Sequence, residues 1–172
     1  MNEEKTTPES AVAEEEIDYS GRPFGYKDSI NETAMICEHD PVIRQKISNT
    51  LQTLNYNVIE STTFKEVLKY LTFHTFNVIV VNENFDIGTG GINNVLNHLE
   101  QLPMSTRRQI FVVLISATFA TMDYMHSFNK SINLIINKDE ISELALILKK
   151  EIEENEYFYH VFKEYHRKYG KV

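Results

Sequence analysis

Four short polar clusters in this sequence each stand directly behind an apolar run. Glu38-His39 follows Met35-Ile36-Cys37, and Asn82-Glu83 follows Val78 to Val81. Ser116-Ala117 follows Phe111 to Ile115, and Asn137-Lys138 follows Leu134-Ile135-Ile136. A carboxylate beside an imidazole can form a pH-sensitive pair, because histidine titrates near neutrality and a neighbouring carboxylate raises its pKa. The plainer reading of His39 is a loop side chain satisfied by neighbours or water; metal ligation lacks a second soft ligand at a recognisable spacing. Asn82 reads as a hydrogen-bonded strand end. Lys138 reads as a solvated loop cation or, if it reaches the other clusters, as a partner for Glu38. The glycine-rich stretch Asp86-Ile87-Gly88-Thr89-Gly90-Gly91 lacks the Gly-Lys-Ser/Thr ending of a phosphate loop and reads as a connection or lid.

The elements that position these clusters alternate in type. Strands are expected at Ala34–Cys37, Asn57–Ile59, Val78–Val81, Phe111–Ile115 and Leu134–Ile136. The third and fourth have no polar alternation, as expected of parallel strands buried on both faces. Asp40-Pro41 caps and starts a helix with Ile43, Ile47, Leu51 and Leu54 on one side. Thr63 to Glu66 is a capping box opening a helix with Phe64, Val67, Leu68 and Leu71 on one side. Ile92, Val95, Leu96 and Leu99 predict a third helix, and Phe119, Met122, Met125 and Phe128 a fourth. Ile141, Leu144, Leu148 and Ile152 predict a fifth. This order implies an α/β fold of three layers around a doubly wound, five-stranded parallel sheet. Ligands of such sheets collect beyond the carboxyl ends of the strands, where the four clusters lie.

Three regions are expected: an acidic leader over 1–30, from which Phe24 and Tyr26 are candidates to dock, a domain over 31–152 and a helical extension over 153–172. In the extension Phe158, Phe162, Tyr165 and Tyr169 form an aromatic stripe, with Tyr159, Phe162 and His166 on a neighbouring line. Such a stripe must be covered, by this chain or by a partner. His160, His166, Lys163, Arg167 and Lys168 are expected on the solvated side. A net charge of −8 argues against non-specific binding to nucleic acid or an anionic membrane. The single cysteine, Cys37, is expected to be a buried thiol in a reducing compartment. No apolar run reaches membrane-span length and no secretion signal is visible, so a cytoplasmic location is expected.

From Ala34 to about Ile152 the sequence resembles the receiver (CheY-like) domain of bacterial two-component response regulators. The resemblance rests on the acidic position after the first strand before a Pro-started helix, the polar residue closing the third strand, Ser116-Ala117 closing the fourth and Lys138 near the end of the fifth. It implies strand order 2-1-3-4-5, here with an extended C-terminal helix. Working receivers hold Mg²⁺ with acidic side chains and phosphorylate an aspartate, while a lysine and a hydroxyl respond to the phosphoryl group. Here the acidic pair maps to Glu38 and His39, and the acceptor to Asn82, or to Glu83 with a slip of one residue. The lysine maps to Asn137, or to Lys138 with the same slip, and Leu134 replaces a common aromatic. Only Ser116 keeps its expected chemistry.

The resemblance therefore implies a degenerate pseudo-receiver, not an enzyme, with weak or absent Mg²⁺ binding and no other cofactor. It is expected to act in phosphorelay signalling through a protein partner or a homodimer. Tyr157, Phe158, Phe162, Tyr165 and Tyr169 are the interface candidates. Two other readings stay open: a phosphorelay receiver with an unconventional acceptor, Glu83 or Asp86, and a small-molecule or nucleotide sensor at the switch-point crevice. Some degenerate receivers carry a zinc ribbon, but no CxxC occurs here.

Overall fold

A computed structural model of the chain describes residues 32–88, 91 and 93–169, without the side chain of Arg167. The expected leader, Phe24, Tyr26, Thr89, Gly90 and Ile92 lie outside the described residues. Five parallel strands form one sheet in the order β2-β1-β3-β4-β5. They are β1 (Thr33–Cys37), β2 (Asn57–Ser61), β3 (Val78–Asn82), β4 (Phe111–Ser116) and β5 (Leu134–Asn137). The helices are α1 (Pro41–Thr53), α2 (Phe64–Phe73), α3 (Asn94–Glu100), α4 (Met104–Arg107), α5 (Tyr124–Asn129), α6 (Leu144–Phe158) and α7 (His160–Tyr169). A 3₁₀ turn, Lys138–Glu143, precedes α6.

Successive strand side chains point to opposite faces, so an apolar strand feeds two cores. On one face Ala34, Ile36, Val80, Val113, Ile115 and Ile136 pack with Ile47 and Leu51 of α1 and Leu144 and Leu148 of α6. On the other, Met35, Ile79, Val81, Val112, Leu114 and Ile135 pack with Val67 of α2 and Val95 and Leu99 of α3. The expected caps form: Asp40 accepts from the N–H groups of Val42 (2.8 Å) and Ile43 (3.3 Å). Thr63 accepts from Glu66 N–H, while Glu66 reaches back to Thr62. The register places Cys37 beside Val81, Asn82 beside Ile115 and Ser116 beside Asn137, which brings all four polar clusters to one edge of the sheet.

Two helical readings need correction. The periodicity from Phe119 to Phe128 is not one helix, because α5 begins only at Tyr124. Met122 takes a left-handed conformation, φ 61°, and Asp123 caps the new start by accepting from His126 N–H at 3.0 Å. Phe119 and Met122 pack on the two cores from the loop, whereas Met125 and Phe128 are exposed. The aromatic extension is not one continuous stripe either. The expected boundary at 152/153 falls inside α6, and the helix breaks at Tyr159 before α7. Phe162 turns inward, half-buried with the Arg108 guanidinium 5.5 Å from its ring centre, and contacts His166 on the same side. Lys163 and His166 are half-buried rather than solvated, and Lys163 pairs with Glu156. Tyr157, Phe158, Val161, Tyr165 and Tyr169 face outward.

Candidate functional site

The carboxyl edge of the sheet holds three separate hydrogen-bonded groups. The first joins β1 to β3. Glu38 is buried, yet among the described residues no cation meets its carboxylate. Oε1 accepts from Asp40 N–H at 3.0 Å and Oε2 from the Asn82 side-chain amide at 2.6 Å. The orientation of that amide is set by its oxygen, which accepts from Asn84 N–H at 2.8 Å, so its NH₂ must face Glu38. Arg44 donates to the Glu38 carbonyl at 3.1 Å and pairs with Glu60, so the donors that meet the Glu38 carboxylate among the described residues are neutral. His39 is exposed and stacks on buried Phe85, with ring centres 4.7 Å apart and planes at 20°. The imidazole thus covers Phe85 rather than pairing with Glu38.

The second group joins β3 to β4. The Glu83 carboxylate accepts from the Ser116 hydroxyl at 2.5 Å, from Ala117 N–H at 2.8 Å and from the Thr118 hydroxyl at 3.4 Å. Ser116 therefore meets Glu83, not Asn82. The third group hangs from β5. The Asn137 amide donates to the Phe119 carbonyl at 2.8 Å, its backbone N–H donates to the Thr121 hydroxyl at 2.9 Å, and its side-chain oxygen caps the 3₁₀ turn at Asp139 N–H. Asn137 is a loop clamp. Lys138 is half-buried and forms no ion pair or side-chain hydrogen bond with any described residue, so the contemplated Glu38–Lys138 contact is absent among them.

Two further residues complete the edge: Asn93, not singled out from sequence, and Asp86, considered there as an unconventional acceptor. Asn93 donates to the carbonyls of Asn82 (2.9 Å) and Glu83 (3.2 Å) while its oxygen caps α3. The legible signal was an Asn before a helical run, masked by taking Ile92 as part of the helix. Asp86 accepts from Phe64 N–H at 2.5 Å, which ties the β3–α3 connection to the start of α2. Cys37 is fully buried, and burial pushes its thiol up to about 12.

Magnesium needs several hard oxygen ligands, and these residues do not fit it. Both Glu38 oxygens are engaged, Asn82 presents N–H groups rather than an oxygen, and His39 faces Phe85. Among the described residues no three His, Cys, Asp or Glu side chains converge as a metal site, and no helix is long and apolar enough to cross a membrane. A cavity of about 500 Å³ lies at the opposite end of the sheet, between α2, α3 and α4, lined by Leu68, Leu71, Phe76, His98, Leu102 and Ile110 among others.

No family model matches this chain, and no curated protein matches it. Solved structures do. The chemotaxis response regulator CheY4 of Vibrio cholerae superposes with a TM-score of 0.56 at 17% identity, covering 72% of this chain and 99% of that one. An orphan response regulator of H. pylori, HP1043, gives 0.54 at 13% identity over 70% and 96% of the two chains. The phosphorylated cyanobacterial phytochrome response regulator RcpA gives 0.54 at 21% identity over 70% and 91%. The fold is that of response-regulator receiver domains, with the strand order expected from the sequence.

Proposed function

We propose that this chain is a receiver-like module of two-component signalling that works without phosphorylation, by binding a protein partner. One observation carries the reading: the acceptor position is Asn82, an amide locked between the Glu38 carboxylate and Asn84 N–H. An amide offers no carboxylate for an acyl phosphate, and the pair needs no cation because its charge is met by N–H donors. The acids considered as unconventional acceptors are both engaged, Glu83 with the β4 end and Asp86 with α2. Mg²⁺ binding is accordingly weak or absent, and the chain is not an enzyme. The net charge of −8 over the whole sequence favours a protein partner over nucleic acid or an anionic membrane.

Two exposed apolar surfaces support partner binding. The edge strand β5 is flanked by α5, with Tyr124, Met125 and Phe128 exposed, and by α6, with Leu146 exposed. Beyond it, Tyr157, Phe158, Val161, Tyr165 and Tyr169 are uncovered. Aromatic groups of this size can anchor an interface, including a homodimer. Incubation of the full chain with acetyl phosphate and Mg²⁺ is expected to leave its mass unchanged, and a stoichiometric Mg²⁺-dependent phosphoprotein overturns the proposal. A second reading, a small-molecule sensor, is favoured by the apolar cavity under α2 and α3, whose volume suits a small ligand. That cavity lies away from the switch-point crevice, and a ligand-induced rise in melting temperature lost on Leu71→Trp tests it.

A further inference from the structure

The Glu83 carboxylate holds a position that a merely solvated loop acid has no reason to take. Three donors converge on it, and two belong to backbone-fixed positions at the end of β4. Ser116 Oγ itself accepts from the N–H groups of Thr118 (2.9 Å) and Phe119 (3.0 Å), so its own proton is directed to Glu83. The Glu83 backbone is pinned as well: its N–H donates to the Ile115 carbonyl at 2.9 Å, and its carbonyl accepts from Asn93 at 3.2 Å. The acid thus extends from a rigid strand end across to the first residues of the β4–α5 loop.

We propose that Glu83 is the resident anion of this donor cluster and that it holds the loop over 117–123, and with it α5, in one arrangement without any covalent modification. The inference rests on the pseudo-receiver reading and supplies its regulation: the group that orders the output side is built into the chain. The loop has three anchors. Glu83 holds its start, Asn137 holds Phe119 and Thr121, and Met122 N–H bonds the Ile135 carbonyl at 2.9 Å. Asp123 then caps α5, which carries the exposed Tyr124, Met125 and Phe128. The Asn137 and Ile135 side of the loop does not reach the Ala117 amide. Among the described residues Glu83 holds the first residue of the loop directly and, through the Ser116 hydroxyl that caps Thr118 and Phe119, the turn that follows. Negative charge is required because donors approach both oxygens. In glutamine one of those oxygens becomes an NH₂ that faces a donor, and aspartate is one methylene short.

The test uses the full chain as wild type, Glu83→Gln, Glu83→Ala and Ser116→Ala, compared by amide NMR and hydrogen exchange. The Ala117 and Thr118 amide resonances are expected to move in all three variants. The α5 amides, such as Ser127 N–H bonded to the Asp123 carbonyl, are expected to exchange about tenfold faster, while Ile36 and Val80 stay unchanged. Glu83→Ala with Ser116→Ala should cost less than the sum of the two single changes, because both break the shared Ser116–Glu83 contact. If α5 exchange is unaltered, or if Glu83→Gln keeps the wild-type Ala117 resonance, the resident-anion proposal is wrong. A phosphodonor treatment run in parallel reads the pseudo-receiver proposal separately, because a mass gain overturns that reading whatever the Ala117 amide does. Should Glu83→Ala fail to fold, the nearly isosteric Glu83→Gln still decides.

Discussion

The carboxyl edge of the sheet and the outer face of the C-terminal helices are opposite solutions to the same requirement of satisfaction. At the edge, where a receiver would hold metal and phosphate, Glu38 meets Asn82, Glu83 meets Ser116, and Asn137 is engaged by the loop at Phe119. On the helices, Phe158 and Tyr165 stand 77% and 67% exposed with no described apolar cover. Buried polar groups left unpaired cost free energy, and exposed aromatic surface is stabilised by being covered. The contrast teaches that the polar groups at the edge are engaged within the fold, whereas the large apolar groups left exposed lie on the helices.

The comparison presumes the sheet that separates the two regions, and damage there has the largest expected effect. Ile79→Ala removes a fully buried side chain between β1 and β4 and should cost about 2–4 kcal/mol in denaturant unfolding. A neutral result would contradict the burial of β3 on both faces. Next comes the edge itself. Asn82→Ala leaves the Glu38 carboxylate short of a donor in a buried position, and a loss of about 1–3 kcal/mol is expected. Asn82→Asp sharpens this, because it sets a second carboxylate against Glu38. It should destabilise the chain without metal, and Asn82→Asp with His39→Asp should show a rise in melting temperature with added Mg²⁺ that the wild type lacks. No such rise would mean that these positions do not correspond to a receiver's metal site.

The helical face should respond in the opposite way. Phe158→Ser with Tyr165→Ser is expected to change stability by about 0.5 kcal/mol or less, as for exposed positions, yet to reduce self-association in light scattering or partner capture. Phe162 is unsuited to this test, since it packs under Arg108. If the double variant unfolds, the outer face belongs to the fold. The smallest effect concerns Cys37. Its thiol, raised from 9.0 to about 12 by burial, should resist a thiol reagent at pH 8 in the folded chain and react on unfolding. Because the folded value is the higher one, its contribution to stability is full below pH 9.0 and is lost as pH rises towards about 12.

Much of the fold was legible because burial imposes periodicity. Continuous apolar runs at Val78–Val81 and Phe111–Ile115 can only be strands covered on both faces, and Asp40-Pro41 and Thr63 mark helix starts through local capping that needs no distant partner. The amide at Asn82 was legible too, since residue type alone leaves no carboxylate at the end of the third strand. The same periodicity misled at Phe119 to Phe128, where apolar residues serve two cores from a loop, because spacing records that a side chain is apolar and not what covers it.

What the residue order by itself determined is the layered parallel sheet and the amide, in place of a carboxylate, at position 82, both read from local composition. Only the tertiary structure decided which polar group satisfies which. Glu83 and Ser116 are 33 residues apart and meet because the β3–β4 register sets Asn82 beside Ile115, carrying Glu83 one step further to the end of β4. Only the tertiary structure decided, likewise, that the break at Tyr159 turns Phe162 inward and leaves Phe158 and Tyr165 outside. The physical reason is common to both. Hydrogen-bond partners and covered faces are set by the packing of elements distant in sequence, and no local spacing encodes that geometry.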